Sequence, residues 1–393
     1  MKVNSTNGIF KLVALVVVLL GYMANAQVRK EVKIPDLPGY KTLKGDFHVH
    51  TVYSDGRVWP DIRIQEAWHD GLDVIALTDH INYKGPVLKK AMKFEDENLP
   101  HKDAEVIAER LGITLIRGLE INEPGQLYGH FNILFLKDIN ELKPVQGDLI
   151  QAFKKAKKQG AFIQLNHPLD GQGKDPHWRE FHQKMFDENL LDGLEIFNNK
   201  MLHKNAIPWA VDHNLSITSS SDIHYLVGLS HYEWHRPMTL LFAKENSEES
   251  IKEALFERRS AVYYADTIMG YEKHLKPLFT ESVQVIEPSN IVYRKKRYTH
   301  LKNKTDLRFV LEKVREDKGV EMPETIVLLP NQTNLIEISI KDMKAIDKKS
   351  FHATYKVLNF KTLQGESIEI EFDFNKDKKD VELRRPITLD DSE

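Results

Sequence analysis

The segment Gly45-Asp46-Phe47-His48-Val49-His50-Thr51-Val52-Tyr53-Ser54-Asp55-Gly56 constrains this chain more than any other. In an extended strand residues i and i+2 share a face, so His48 and His50 offer two imidazoles to one point, and Asp55 follows within reach. That pattern is the beginning of a metal site. Further clusters of ligand-type residues lie downstream: Thr78-Asp79-His80, Gly118-Leu119-Glu120 with His130, Asn166-His167-Pro168, and Ser221-Asp222-Ile223-His224.

Most of these clusters close an apolar run. Val74-Ile75-Ala76-Leu77 precedes His80, Ile113 to Leu119 precedes Glu120, Phe162-Ile163-Gln164-Leu165 precedes His167, and Leu215 to Thr218 precedes Asp222. Short apolar runs alternating with helical patterns predict buried parallel strands of an α/β fold. Ligands at the C-terminal ends of such strands converge on one mouth of a barrel. Expected helices include one opened by Trp59-Pro60 and stopped by Gly71, and others over Ala104 to Leu111, Leu149 to Gln159, Asn205 to Asp212 and Glu248 to Glu257. The segment count suits a barrel of about seven or eight βα units.

Taken together, H-x-H, T-D-H, G-L-E, N-H-P and S-D-I-H resemble the PHP (polymerase and histidinol phosphatase) superfamily of metal-dependent phosphoesterases over roughly residues 40 to 270. The resemblance implies a distorted seven-stranded barrel. His48-Val49-His50 with Ser54 to Pro60, and the later His235-Arg236-Pro237-Met238-Thr239-Leu240, are similar to a secreted branch of that family that cleaves organophosphate diesters. Carried over position by position, the family pattern implies metal ligands at His48, His50, Asp55, His80, Glu120, His130, His167, Asp222 and His224. One ion would take His48, His50, Glu120 and Asp222. A second would share Glu120 with His130 and His167, and a third would use Asp55, His80 and His224.

Mixed imidazole and carboxylate ligands suit two or three divalent ions, Zn, Mn or Fe. Three such ions bring about +6, the carboxylates Asp55, Glu120 and Asp222 about −3 and a hydroxide about −1, leaving roughly +2 to attract a phosphate ester. Divalent metals acidify bound water, so the expected nucleophile is a metal-activated hydroxide. Three further residues are candidate catalytic groups. Asp79 is expected to orient an imidazole, with proton transfer to the leaving group as its other role. Asn166 is placed to contact a phosphoryl oxygen or to serve the turn before Pro168, and Arg236 to bind a phosphate oxygen in the substrate pocket. Trp59, Tyr83 and His177 are candidates to shape the leaving-group pocket, with packing as the plainer role. His101, His274, His300 and His352 are expected to be exposed.

At 393 residues, with 55 Lys and Arg against 58 Asp and Glu, the chain lacks the basic surplus of a nucleic-acid binder, so a small-molecule phosphate ester is the expected partner. No cysteine is present, which excludes disulfides, thiolate ligands and a cysteine nucleophile. Lys2, Lys11, the apolar run Leu12 to Leu20 and Ala24-Asn25-Ala26 form a signal-peptide layout with cleavage after Ala26, predicting a periplasmic or secreted protein with no membrane span in its mature part. The domains expected are thus residues 1–26 as signal peptide, 27–279 as the phosphoesterase barrel and 280–393 as a small β-sandwich. The sandwich is read from the period-2 runs Ser282 to Val285, Leu335 to Ile340 and Ile368 to Phe372. The basic run Arg294 to Arg297 is expected on a solvated edge. Phosphodiester hydrolysis leads, against a phosphomonoesterase of the histidinol-phosphatase type and a non-catalytic metal- or phosphate-binding module.

Overall fold

The structure, a computed structural model, describes residues 28–81, 94–122, 128–145, 147–168, 177–286, 292–293, 295–342 and 350–375. The expected signal peptide and Tyr83 lie outside these residues. No helix among the described residues is long and apolar enough to cross a membrane.

The barrel is built from β1 (Lys41–Asp46), β2 (Val74–Leu77), β3 (Thr114–Asn122), β4 (His130–Leu134), β5 (Phe162–Asn166), β6 (Gly193–Asn198), the short β7 (Met201–Leu202), β8 (Ser216–Ser220), β9 (Met238–Ala243) and β10 (Ser260–Tyr264), with β11 (Thr267–Gly270) beside it. The pairing runs β10-β9-β1-β2-β3-β4-β5-β6-β8. Parallel pairing holds for β1-β2-β3 and β5-β6-β8, while β4 and β9 run against their neighbours. Between β8 and the β9-β10 pair, side chains bridge the gap: Ser260 Oγ donates to the Ile217 carbonyl, and Thr239 Oγ1 accepts from Ser219 N. All four residues of β2 are buried, as the uninterrupted apolar run requires of a strand covered on both faces.

Around the barrel lie α1 (Pro60–His69), α2 (Leu99–Leu111), α3 (Leu149–Lys158), α4 (Glu180–Asp187), α5 (Ile207–Asp212), the single turn α6 (Val227–Ser230), α7 (Glu248–Phe256) and α8 (Glu272–Ser282). Pro60 starts α1, where its missing N–H costs nothing. Gly71 follows α1 with φ +79°, and a Cβ there would sit 2.3 Å from the Lys30 carbonyl oxygen, so no other residue fits. Asp148 and Ser247 cap α3 and α7 by accepting from Gln151 N and Ser250 N. α2 begins five residues before the expected Ala104, because Pro100 opens the helix.

The C-terminal region is a two-layer sandwich. One layer holds β12 (Val283–Ile286), β13 (Val292–Tyr293), β14 (Lys296–Asn303), β16 (Val320–Glu321) and β18 (Thr333–Ile340); the other holds β15 (Phe309–Glu316), β17 (Thr325–Leu328), β19 (Ser350–Thr362) and β20 (Ser367–Asn375). Phe309, Phe351, Tyr355 and Phe372 fill the space between them with Leu301, Ile336 and Ile338. β11 pairs in parallel with β19, so one hydrogen-bonded sheet runs from barrel into sandwich. α8 continues to Ser282, across the boundary expected after residue 279, because its apolar residues Leu275, Leu278 and Phe279 pack into the core shared by both parts.

Two surface expectations fail here. Arg297 is fully buried, with its guanidinium 4.6 Å from the Phe351 ring centroid, so a cation–π contact replaces water. His274 is buried against Phe242, since α8 packs on β9 and β10 instead of lying in solvent.

Candidate metal centre

The candidate ligands arrive at one end of the barrel for a topological reason. β1, β2, β3, β5 and β8 point the same way, so residues at or just after their C-terminal ends share that end: His48 and His50, His80, Glu120, His167, and Asp222 with His224. His130 starts its strand instead of closing it. Because β4 is antiparallel to β3 and β5, its first residue lies at the same mouth, opposite Asn122 and Asn166.

All nine expected ligand residues fall into overlapping groups whose donor atoms lie within 4.8 Å of one another. His48 Nε2 and His50 Nε2 are 3.1 Å apart. Glu120 Oε2 lies 3.3 and 3.2 Å from these nitrogens, and Asp222 Oδ1 lies 3.3 and 3.1 Å from them. Ligands held at about 2.0–2.2 Å from one ion stand roughly 3.0–3.5 Å from each other, so this spacing is that of donors around a common centre. Glu120 Oε1 faces the second set, 3.0 Å from His130 Nδ1 and 3.5 Å from His167 Nε2. In the third set Asp55 lies 3.2 Å from His224 Nε2 and 3.7 Å from His80 Nε2, and His80 also approaches Glu120 Oε2 at 3.3 Å. Glu120 thus stands at the junction of all three sets. The donors present fit divalent cations of the imidazole- and carboxylate-binding kind.

Electrostatics follow from the crowding. Burial opposes charge on Glu120 and Asp222, yet the surrounding imidazoles hold both carboxyls well below their usual range. Burial likewise opposes protonation of His48, but Asp222, Glu120 and Glu195 hold its pKa well above the ordinary value; for His50 the same balance against Asp222 and Glu120 pushes it up to about 10. His80 goes the other way, to about 4, since burial and the neighbouring His50 and His130 outweigh Glu120 and Asp55. This concentration of carboxylates and imidazoles favours bound cations at the centre. His167 at φ +23° and Asp222 at φ +50° adopt left-handed backbone geometry that non-glycine residues rarely take, a strain of about 1–3 kcal/mol each.

Three catalytic assignments change. Asp79 does not touch an imidazole: its carboxylate accepts from Thr51 N, Thr51 Oγ1 and Ser54 Oγ, fixing the loop after β1, and Ser54 Oγ in turn stands 3.5 Å from His50 Nδ1. Asn166 is fully buried and donates to Glu120 Oε1 and Asn132 Oδ1, which orients the shared carboxylate and leaves no donor for a phosphoryl oxygen. Arg236 is fully buried, bonded to Asp46 Oδ2 at 3.2 Å and Asp70 Oδ2 at 3.0 Å, where Asp46 also receives Ser221 N and Oγ. It braces the strand that carries His48 and the loop that carries Asp222. Arg236 and His231 line a cleft of about 740 Å³ behind that loop, together with Glu66, Asp70 and Trp234. His177 is on a separate open cleft with Tyr128, Trp178 and Arg179.

The residue that sequence reasoning missed is Glu195. From inside β6 it places Oε1 3.2 Å from His48 Nδ1 and accepts from His167 N and Asn198 Nδ2 at 2.9 Å each. With Nδ1–H engaged, His48 turns the lone pair of Nε2 to the cluster. The signal was present: Glu195 is the lone acid in the apolar run Gly193 to Phe197, and a buried carboxylate needs a partner. Arg63 was also missed. Its guanidinium donates to the carbonyls of His50, Tyr225 and Ile223 and so ties the two ligand loops together.

The PHP domain matches residues 46–274. The chain belongs to this family. An Ig-like domain matches residues 283–373, in agreement with the sandwich. Among solved structures, a two-domain Bacteroides vulgatus protein described as containing a predicted PHP-like metal-dependent phosphoesterase superposes with a TM-score of 0.80 at 36% identity, covering 89% of this chain and all of that one. An uncharacterised protein of Methanocaldococcus jannaschii is 27% identical over 177 residues, which is 42% of this chain and 86% of that protein. A 5'-3' exoribonuclease of Haemophilus influenzae is 28% identical over 132 residues, 34% of this chain and 42% of the enzyme. This PHP protein is accordingly a metal-dependent phosphoesterase by family, with an Ig-like domain joined to its barrel.

Proposed function

We propose that this PHP protein is an exported hydrolase that cleaves phosphodiesters with divalent ions held by His48, His50, Asp55, His80, Glu120, His130, His167, Asp222 and His224. The observation that carries the reading is the 3.1–3.3 Å packing of His48 and His50 Nε2 with Glu120 and Asp222 oxygens. When bound, such ions supply Lewis acidity and positive charge to a phosphoryl group. The chain's part is to hold the His48 imidazole in one tautomer through Glu195, to place Glu120 between the sets through Asn166, and to keep the ligand loops fixed through Asp79 and Arg63. Water adds to phosphorus, one P–O bond breaks, and the alcohol leaves with a proton.

The test is turnover of bis(p-nitrophenyl) phosphate beside p-nitrophenyl phosphate, before and after chelation, with metal analysis of the same protein. Chelation-sensitive diester turnover supports the proposal, and preference for the monoester replaces it with a phosphomonoesterase. The Haemophilus relative favours RNA as a second reading, which single-stranded RNA in the same assay decides. A mature N-terminus at Gln27 on the exported protein is the expected mark of its location.

A further inference from the structure

All four exposed Trp and Tyr side chains among the described residues lie in segments that follow ligand residues: Trp59 after Asp55, and Tyr225, Tyr232 and Trp234 after His224. The loop directly after His224 exposes Tyr225, Leu226, Leu229, Tyr232 and Trp234, with Tyr232 73% and Leu229 69% open to solvent. Trp59 joins them from the segment beside that loop, where Arg57 N donates to the His224 carbonyl. From the start of β7 comes exposed Met201, and in the turn before it Lys200 holds its ammonium 5.5 Å from the centre of the Tyr232 ring. Exposed apolar patches on a soluble surface mark interaction sites, and aromatic rings set among Lys and Arg are the composition that settles at a lipid–water boundary.

The metal centre opens in the same direction. His48, His50 and Glu120 are buried, whereas the most open members of the cluster are His224, Asp55 and Asp222, which flank this loop. We infer that the loop 225–234 docks the protein on an anionic lipid surface, and that its substrates are phosphodiester headgroups presented there. The inference rests on the phosphodiesterase reading for the chemistry, and on the patch alone for the docking. A lipid surface is favoured over a protein partner because the apolar residues are exposed together beside the exposed Arg57 and Lys200; the opposing charges are Glu233 on the loop and Glu66 and Asp70 in the adjoining cleft. Basic residues near such a surface are drawn to its negative charge, and shallow insertion of Leu and aromatic side chains adds apolar burial.

The holoprotein and its L229S/Y232S double variant are compared by sedimentation with phosphatidylcholine vesicles, with and without phosphatidylglycerol, and by hydrolysis of phosphodiester headgroups in those vesicles. The wild type is expected to sediment with the anionic vesicles, and the variant to lose about tenfold in binding and in vesicle-borne turnover while its turnover of bis(p-nitrophenyl) phosphate is unchanged. Both proteins carry the same N-terminus, so the difference reports the loop. Equal sedimentation of the two, or none by the wild type, overturns the docking even if the soluble diester is cleaved. Sedimentation lost in the variant without turnover of any ester leaves the docking standing and removes the phosphodiesterase reading.

Discussion

Two clusters of buried charge lie on either side of the chain segment Asp46 to His50, and they solve the same problem differently. In the first, Arg236 is shared by Asp46 and Asp70, with Ser221 donating to Asp46, so opposite charges and hydroxyls satisfy one another. In the second, His48 and His50 point their nitrogens at each other and at two carboxylates, with Glu195 locking the outer side of His48. In the first cluster the charges are countered within the protein, with Arg236 Nη2 alone left without a hydrogen-bond partner; the second has its donors aimed at a shared centre and is completed by cations. Burial alone therefore does not separate a structural charge from a functional one, whereas the direction in which the donor atoms converge does.

The largest expected effect tests the second cluster. Chelation, or His50→Ala, is expected to lower phosphodiester turnover by about 10³-fold or more, or roughly 4 kcal/mol, while far-UV circular dichroism stays native because the barrel core is elsewhere. Retained turnover in a rigorously metal-free sample contradicts the role given to the cluster. Restoration by an added divalent metal, with a rise in melting temperature, shows that the ions bind the folded state.

Next in size is the first cluster. Arg236→Ala strips the buried Asp46 of its counter-charge and is expected to cost about 3–5 kcal/mol in urea unfolding. If the variant unfolds at the wild-type urea concentration yet loses turnover, Arg236 contacts substrate and the contrast between the clusters fails. Glu195→Gln probes the boundary between them. It keeps the shape and weakens the hold on His48, so a loss of about 10–100-fold in metal affinity is expected, measured by competition with a chelator, with stability nearly unchanged.

The ligand set was legible in the sequence because H-x-H, T-D-H, G-L-E, N-H-P and S-D-I-H each end or follow a strand, and strand ends share a mouth. His130 was found by motif, but its strand direction was not, since an apolar run has no arrow. Asp46, Glu195 and Arg236 were harder: each is buried and partnered by residues distant in sequence, 190 positions apart for Arg236 and Asp46, and no local pattern carries such a pairing. The sandwich showed itself through period-2 alternation, yet Arg297 within it was misplaced, because alternation gives the face of a residue and not the aromatic ring opposite. The same blindness to long-range packing put His274 on the surface.

His274 supplies the smallest and most specific contrast, a buried ionisable group with neither an opposite charge nor an ion to complete it. Burial, together with Lys273 and Arg259, lowers its pKa to about 4. The folded state holds it neutral down to that pH, while the unfolded chain takes up a proton near 6.5. Between about pH 6.5 and 4 the unfolded state therefore binds more protons at this position, so stability falls as the solution is acidified, by at most about 1.4 kcal/mol per pH unit for one group. His274→Leu keeps the apolar contact with Phe242 and removes the titration. Its urea-unfolding free energy between pH 7 and pH 5 is expected to fall less steeply than that of the wild type, with both measured in chelator so that the metal centre contributes equally. Parallel slopes would mean that His274 stays accessible to protons in the fold, and that uncharged burial is not how this part of the barrel handles an imidazole.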